Sequence, residues 1–234
     1  MSKFLGTLLV TLSWTFCIAQ TDNLKNESTQ PSKFDRKRQF GIIIGVGTSK
    51  FKPGYSNWQQ GSINYNDSLN GISGNGVFKL EFGFLYQIKL SKMLSIRPTY
   101  QSVLEGGELN YQRKTSTETI NLSTYSHTLS VPLVINHNFG NYQPYLTVGP
   151  TLLYMMAQEK DVYAVLPINS FDILGETAVG IDFHSKALKC IVSPGLKYSI
   201  GFLNNKGSIN NIYGNTINEL KRQSISFTVN FRQG

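Results

Sequence analysis

The 234-residue chain reads as an all-β protein, an eight-stranded antiparallel up-and-down transmembrane β-barrel preceded by a signal peptide and a short disordered leader. Three observations predict this. Apolar residues recur at every second position through a series of long stretches, the connections between those stretches alternate long and short, and the chain opens on a secretory signal. A period of two places alternate side chains on opposite faces of a strand, a pattern no helix carries.

The clearest stretch is Val77 to Leu104. Phe78, Leu80, Phe82, Phe84, Tyr86, Ile88 and Leu90 alternate with Lys79, Glu81, Gly83, Gln87 and Lys89. After a break at Ser91-Lys92, Leu94, Ile96, Pro98, Tyr100 and Leu104 alternate with Ser95, Arg97, Thr99, Gln101 and Glu105. This is an amphipathic hairpin with its turn at the periplasmic rim.

The remaining strands follow from the same periodicity. The first runs from Gln39 to Phe51, with Phe40, Ile42, Ile44 and Val46 on one face and Gly41, Gly45 and Gly47 on the other. Glycines on the inner face of a small barrel leave room for large neighbours. The lysine that a phosphate loop carries directly after its last glycine is missing, and no helix follows. Later strands are Tyr125 to Phe139, Tyr142 to Ala157, Phe171 to Phe183, Ala187 to Leu203 and Lys221 to Arg232. Polar stretches at Lys52–Asn75, Gly106–Thr124, Gln158–Ser170 and Asn204–Leu220 read as long loops; Ser91-Lys92, Gly140-Asn141 and His184-Ser185-Lys186 read as tight turns. In a meander all long loops then share one rim, as in barrels whose turns are short on the periplasmic side and long outside.

The N-terminus divides the chain into three parts. Residues 1–19 have a basic start at Lys3, an apolar run from Phe4 to Leu12 and small residues before Gln20, which is a signal peptide. A lipoprotein signal on Cys17 is disfavoured by Trp14, Thr15 and Phe16, which are too large for such a site. Residues 20–38 form a polar, aperiodic periplasmic leader, whose basic end at Lys33, Arg36, Lys37 and Arg38 reads as a solvated tether in preference to a contact with acidic lipid headgroups or a partner. Residues 39–232 form the barrel. No stretch after the signal reaches the ~20 apolar residues of a membrane helix.

Alternation does not say which way the apolar face points, since a soluble lipocalin-like barrel turns the same stripe inward around a hydrophobic ligand. Aromatic residues near the strand ends favour outward: Phe40, Phe78, Tyr86, Tyr100, Tyr125, Phe139, Tyr142, Tyr154, Phe171, Phe183, Tyr198 and Phe231 suit two interfacial girdles. The polar face then lines a lumen holding Lys79, Glu81, Lys89, Arg97, Gln101, Glu105, Glu176, Asp182, Lys189, Lys197, Arg222 and Arg232. Charges in so narrow a space are expected to pair into a hydrogen-bonded plug. The expected location is the outer membrane, with its lipids and the barrel-assembly machinery as partners.

Other functions find little support. The formal net charge is +8, yet the cations are spread along the chain without a basic stripe, so nucleic acid is not an expected partner. His127, His137 and His184 form no Ser/His/Asp or His-Glu-x-x-His arrangement, and Glu159-Lys160-Asp161 is a solvated run. Cys190 reads as a small hydrophobe in a strand. No catalytic, metal or cofactor residues are assigned, no cofactor is expected, and the chain is not expected to be an enzyme.

Ser130-Val131-Pro132-Leu133-Val134-Ile135-Asn136 and Gln143-Pro144-Tyr145-Leu146-Thr147-Val148-Gly149-Pro150 resemble strand motifs of the PorT-like outer-membrane β-barrel proteins of the Bacteroidota. Ala178 to Phe183 and Leu196 to Phe202 add to the likeness, which spans Gln39 to Arg232. The resemblance implies an outer-membrane barrel without a shared catalytic site. It also implies a structural or accessory envelope role, linked in some members to protein secretion, with long outer loops as the interaction surface. The end of the chain departs from a terminal aromatic, since Arg232-Gln233-Gly234 follow Phe231.

Overall fold

The computed structural model describes residues 36–55, 69–113, 116–139, 141–158, 166–185, 187–207 and 217–233. The signal peptide, most of the leader and Glu159-Lys160-Asp161 lie outside them. The described residues form ten strands: β1 Arg38–Tyr55, β2 Leu69–Lys89, β3 Leu94–Ile96, β4 Thr99–Arg113, β5 Thr117–Ser130, β6 Leu133–Asn136, β7 Tyr142–Gln158, β8 Phe171–Ser185, β9 Cys190–Gly201 and β10 Ile217–Gln233. Neighbouring strands pair antiparallel, and β1 pairs with both β10 and β2, so the sheet closes on itself. Closure leaves no edge strand.

The barrel has eight staves, because β3 with β4 forms one stave and β5 with β6 another. Each of these two staves is interrupted at a proline, which has no N–H to donate to the ladder. Across the gaps the ladder continues through Tyr86 N–H to Pro98 O (2.9 Å), Arg97 N–H to Pro132 O (3.0 Å) and Val131 N–H to Pro150 O (3.3 Å).

Tight connections gather on one rim. Leu90 and Ser91 N–H both reach Leu94 O, and Leu94 N–H reaches Ser91 Oγ. Phe139 bridges Tyr142 around the expected two-residue turn. Residues 187–189 turn into β9, with Lys189 at φ 51° and Leu188 N–H bonded to Ser185 Oγ at 3.2 Å. Arg38 pairs with Ile88 and Gln233 with Cys190, so the first and last strands also end at this rim. The leader's basic end is not a tether over its whole length: Arg38 belongs to β1, and Lys37 O accepts from Lys89 N–H at 2.9 Å.

The opposite end differs from the expected loops. The sheet runs on through much of Gly106–Thr124, with β4 ending at Arg113 and β5 beginning at Thr117. Similarly, β1 extends to Tyr55, β2 starts at Leu69 and β10 starts at Ile217. These extensions stand above the apolar belt, where the polar residues that read as loop face water and the residues between them pack inward.

The direction of the apolar face is resolved outward. Val46, Phe78, Phe84, Leu104, Leu129, Val148, Leu152, Val179, Leu196, Ile225 and Phe227 are all exposed on the outside, while Lys79, Glu81, Gln101, Glu105, Asp182, Lys197, Arg222 and Arg232 are buried inside. A lipocalin-like barrel has the opposite arrangement, and that alternative is overturned. Tyr142 pairs with Phe183 near the tight-turn rim and Tyr154 with Phe171 near the other. The twelve residues separating each pair of levels, at ~3.3 Å per residue and a ~40° tilt, span roughly 30 Å, the thickness of a hydrocarbon core. This is a transmembrane barrel with an aromatic girdle at each boundary.

Candidate functional site: the packed lumen and its outer seal

The inner face of β2 supplies the centre of the lumen. Glu81 accepts from Lys197 Nζ at 2.7 Å and lies 3.3 Å from Lys79 Nζ. Lys197 also donates to Gln101 Oε1 (3.1 Å), and Lys79 to Ser224 Oγ (3.1 Å). Toward the outer mouth, Arg222 pairs with Glu105 and its guanidinium lies 5.1 Å from the centroid of the Phe51 ring. Toward the tight-turn rim, Arg232 pairs with Asp182 and bonds Gln39 Oε1 (2.9 Å), Ser193 Oγ (3.0 Å) and Gln87. Arg97 donates from Nε to the same Gln87 Oε1 (3.0 Å) and sits 4.9 Å from the Tyr145 ring centroid. The long side chains of both signs thus form the paired plug expected of them, with members drawn from strands far apart in sequence.

Glycines make the plug sterically possible. Gly45 pairs with Glu81 across the β1–β2 ladder, and a Cβ at Gly45 would lie 2.8 Å from the Glu81 carboxylate carbon. Gly41 stands in the same relation to Arg232 (2.7 Å to Cγ), and Gly195 to the Tyr145 hydroxyl (2.5 Å). Gly41 and Gly45 leave their side-chain volume to a large polar residue of the neighbouring strand, and Gly195 on β9 leaves its own to Tyr145 on β7, across Gly180 of the strand between, as anticipated for the inner face of a tightly curved sheet.

Two voids among these described residues are small. One void of about 10 Å³ lies among Lys79, Glu81, Gln101, Glu105, Lys197 and Arg222. A second of about 30 Å³ lies among Arg97, Gln101, Tyr145, Glu176, Lys197 and Asn230. Voids of this size take water and nothing larger.

Above the polar layer the interior becomes apolar. Phe51, Ile72, Leu109, Tyr111, Ile120, Leu122, Leu153, Met155, Leu174, Ile217 and Leu220 form one buried cluster, joined by Leu166 and Ile168 from the segment before β8. This segment folds over the mouth against the β9–β10 connection: Asn169 N–H reaches Asn205 O and Gly207 N–H reaches Pro167 O, each at 2.8 Å. Asp172, fully buried, accepts from Asn205 Nδ2 (2.7 Å) and Leu203 N–H (3.3 Å). It anchors the cap from inside the barrel.

Several sequence expectations change on this geometry. Lys189 is exposed in the turn before β9 and is no member of the lumen, and Lys89 is half-buried at the same rim. Glu176 faces inward, half-buried, and accepts from Thr151 Oγ1 at 2.9 Å. Asp172 and Tyr145 belong to the inner network although periodicity did not single them out. Cys190 is buried at the start of β9. Among the histidines, His127 lies three residues before the end of β5; its Nδ1 is 2.8 Å from Tyr100 Oη and 3.3 Å from Ser102 Oγ on the outer surface. Among the described residues no group of three or more His, Cys, Asp and Glu is arranged to hold a metal ion.

No family model matches the chain, and no curated protein matches it. Among solved structures it is similar to Neisserial surface protein A, at 9% identity over 82% of this chain and 96% of that one, with a TM-score of 0.43. OprG, an outer membrane protein from Pseudomonas aeruginosa, matches at 9% identity over 82% and 95%, with a TM-score of 0.45. Ail, the attachment invasion locus protein of Yersinia pestis, matches at 10% identity over 84% and 99%, with a TM-score of 0.36. Likeness of this degree says nothing of activity or partners. The closed sheet, polar interior, lipid-facing belt and shared rim for tight turns and strand ends are themselves the architecture of an outer-membrane β-barrel, and the outer membrane is its location.

Proposed function

We propose that this barrel serves a structural or accessory role in the cell envelope, without enzymatic activity, and presents its outer face to partner proteins. The observation that carries this reading is the filled interior. Lys79, Glu81, Gln101, Lys197, Glu105 and Arg222 occupy the lumen at bilayer depth, and the apolar cluster from Phe51 to Leu220 closes the outer mouth. A barrel blocked twice offers no path for a solute, while strand extensions at β1, β2, β4, β5 and β10 raise a broad surface above the membrane. Surface built beyond the needs of closure is where interaction function concentrates.

Kinship with the PorT-like proteins, and with it a link to secretion, is the finer form of this proposal. In its favour, the motif residues meet one another in the fold. A Cβ at Gly149 would lie 2.5 Å from Pro132 Cα, so the two strand motifs lock together at the β5–β6 joint, and Tyr145 packs against Gly180 and Gly195. Fractionation with detergent extraction, followed by electrophoresis of boiled and unboiled samples, tests the architecture through a heat-shifted band from the outer membrane. Deleting the gene tests the role: unchanged envelope integrity together with an unchanged profile of secreted proteins would count against it.

A further inference from the structure

The charged residues of the described chain are distributed unevenly between the two rims. Arg36, Lys37 and Arg38 at the entry to β1, Lys92 in the β2–β3 turn and Lys189 in the β8–β9 turn are all exposed, and Lys89 is half-buried beside them. The one described carboxylate at this end is Asp182, which is buried and paired with Arg232. At the opposite end Lys50, Lys52, Lys206 and Lys221 are mixed with Glu108, Glu118 and Glu219, and Lys221 pairs with Glu219 at 2.8 Å.

The cations of the tight-turn rim come from three separate stretches of sequence, and the fold brings them to one arc. In the ring order β9, β10, β1 and β2 are consecutive staves. Lys189 therefore stands at one end of the arc, Arg36 to Arg38 in its middle, and Lys89 with Lys92 at the other end. With strands ~4.8 Å apart and tilted, the arc measures roughly 15–20 Å along the rim. The turn on the far side, around His137, Phe139 and Asn141, carries no lysine or arginine.

Their depth identifies what they meet. Phe40 lies two residues from Arg38, Tyr86 and Leu90 precede Lys92, and Phe231 lies on the stave between. The cations thus begin where the aromatic girdle ends, at the level of the lipid headgroups. Lys37 is held there by its backbone bond to Lys89, so its charge does not drift away on a tether.

We propose that this arc binds the anionic phospholipid headgroups of the leaflet in which the tight-turn rim sits. The proposal rests on the membrane reading of the barrel. A single-sign arc at headgroup depth attracts phosphate-bearing lipids of net negative charge, and the attraction weakens with salt because exposed charges are screened over ~8–10 Å. It also fixes which side of the barrel the anionic lipids gather on.

The test reconstitutes the full chain in vesicles of phosphatidylcholine containing phosphatidylglycerol, extracts it gently, and measures the retained lipids by mass spectrometry. Phosphatidylglycerol should be enriched severalfold over its bulk share, and raising the salt should reduce the enrichment. A variant carrying R36Q, K37Q, R38Q, K92Q and K189Q should retain the heat-shifted band and lose the enrichment. Retained lipid matching the bulk ratio, or equal enrichment in the variant, would overturn the proposal. Loss of the heat-shifted band from wild-type protein in pure phosphatidylcholine and in the mixture would instead overturn the barrel reading.

Discussion

Replacing Phe84 with lysine places a charge at the most costly depth of the barrel wall. Phe84 is the fourth of the seven outward residues from Phe78 to Leu90 on β2 and its end. That run spans twelve residue-to-residue steps, or roughly 30 Å along the membrane normal, so Phe84 is ~15 Å from either end and near the midplane. Phe84 is 44% exposed on the outer face, and its ring stacks on Phe40 with centroids 6.0 Å apart. A lysine at the midplane of a barrel costs about 2–4 kcal/mol, falling to ~0–1 kcal/mol near an interface. Since ~1.4 kcal/mol is a factor of ten, the folding equilibrium constant should drop by roughly thirty- to several-hundred-fold. Because Phe84→Lys also removes ring packing, Phe84→Ala serves as the baseline. Phe78→Lys, at the outer girdle, serves as the depth control. Reversible denaturant unfolding in vesicles, read by the heat-shifted band, gives all three values. If Phe84→Lys cost no more than Phe84→Ala, or no more than Phe78→Lys, the outward assignment of this face would be refuted.

The interior supports three further predictions. Glu81→Gln leaves the buried ammonium groups of Lys79 and Lys197 without their shared carboxylate, and should destabilise the barrel by about 3–5 kcal/mol in denaturant titrations; Glu81→Gln combined with Lys197→Met should recover part of that loss, and no recovery would remove Glu81 from the centre of the network. Gly45→Ala pushes a methyl group into the Glu81 carboxylate and should cost about 1–3 kcal/mol as overpacking, whereas the same change at Gly76, where the nearest atom is 3.6 Å away, should be tolerated in the same titration. Planar-bilayer recordings of the purified protein should show no stepwise conductance, since the charged plug and the apolar seal close the lumen in series; regular ohmic steps would overturn the filled-lumen reading.

Legibility in the sequence followed the solvent on each side of the wall. Where β2 crosses the bilayer, lipid lies outside and a polar network inside, so Phe78 to Leu90 against Lys79 to Lys89 displays both the strand and its faces. The inward glycines were readable for the same reason, because a small residue on the inner face has few other uses. Gly106–Thr124 misled because it leaves the membrane. There water is outside and the seal is inside, so the alternation reverses phase: Leu104 points outward, but Leu109 and Tyr111 point inward, as do Ile120 and Leu122 before Tyr125 and Leu129 turn out again. The signal was present as Leu-x-Tyr and Ile-x-Leu, hidden among polar residues that solvate the outer surface of the sheet.

The sequence by itself therefore determined the strand period, the tight turns and the two-faced wall, which are local consequences of side chains alternating across a pleat. Only the tertiary structure decided which way that wall faces and which distant residues share the lumen. It also decided that Asp172 holds a cap and that three scattered basic stretches form one arc. The physical reason is closure. Bending the sheet until β1 meets β10 brings Lys197 to Glu81 and Arg232 to Gln39, contacts between residues far apart in the chain that no local pattern records.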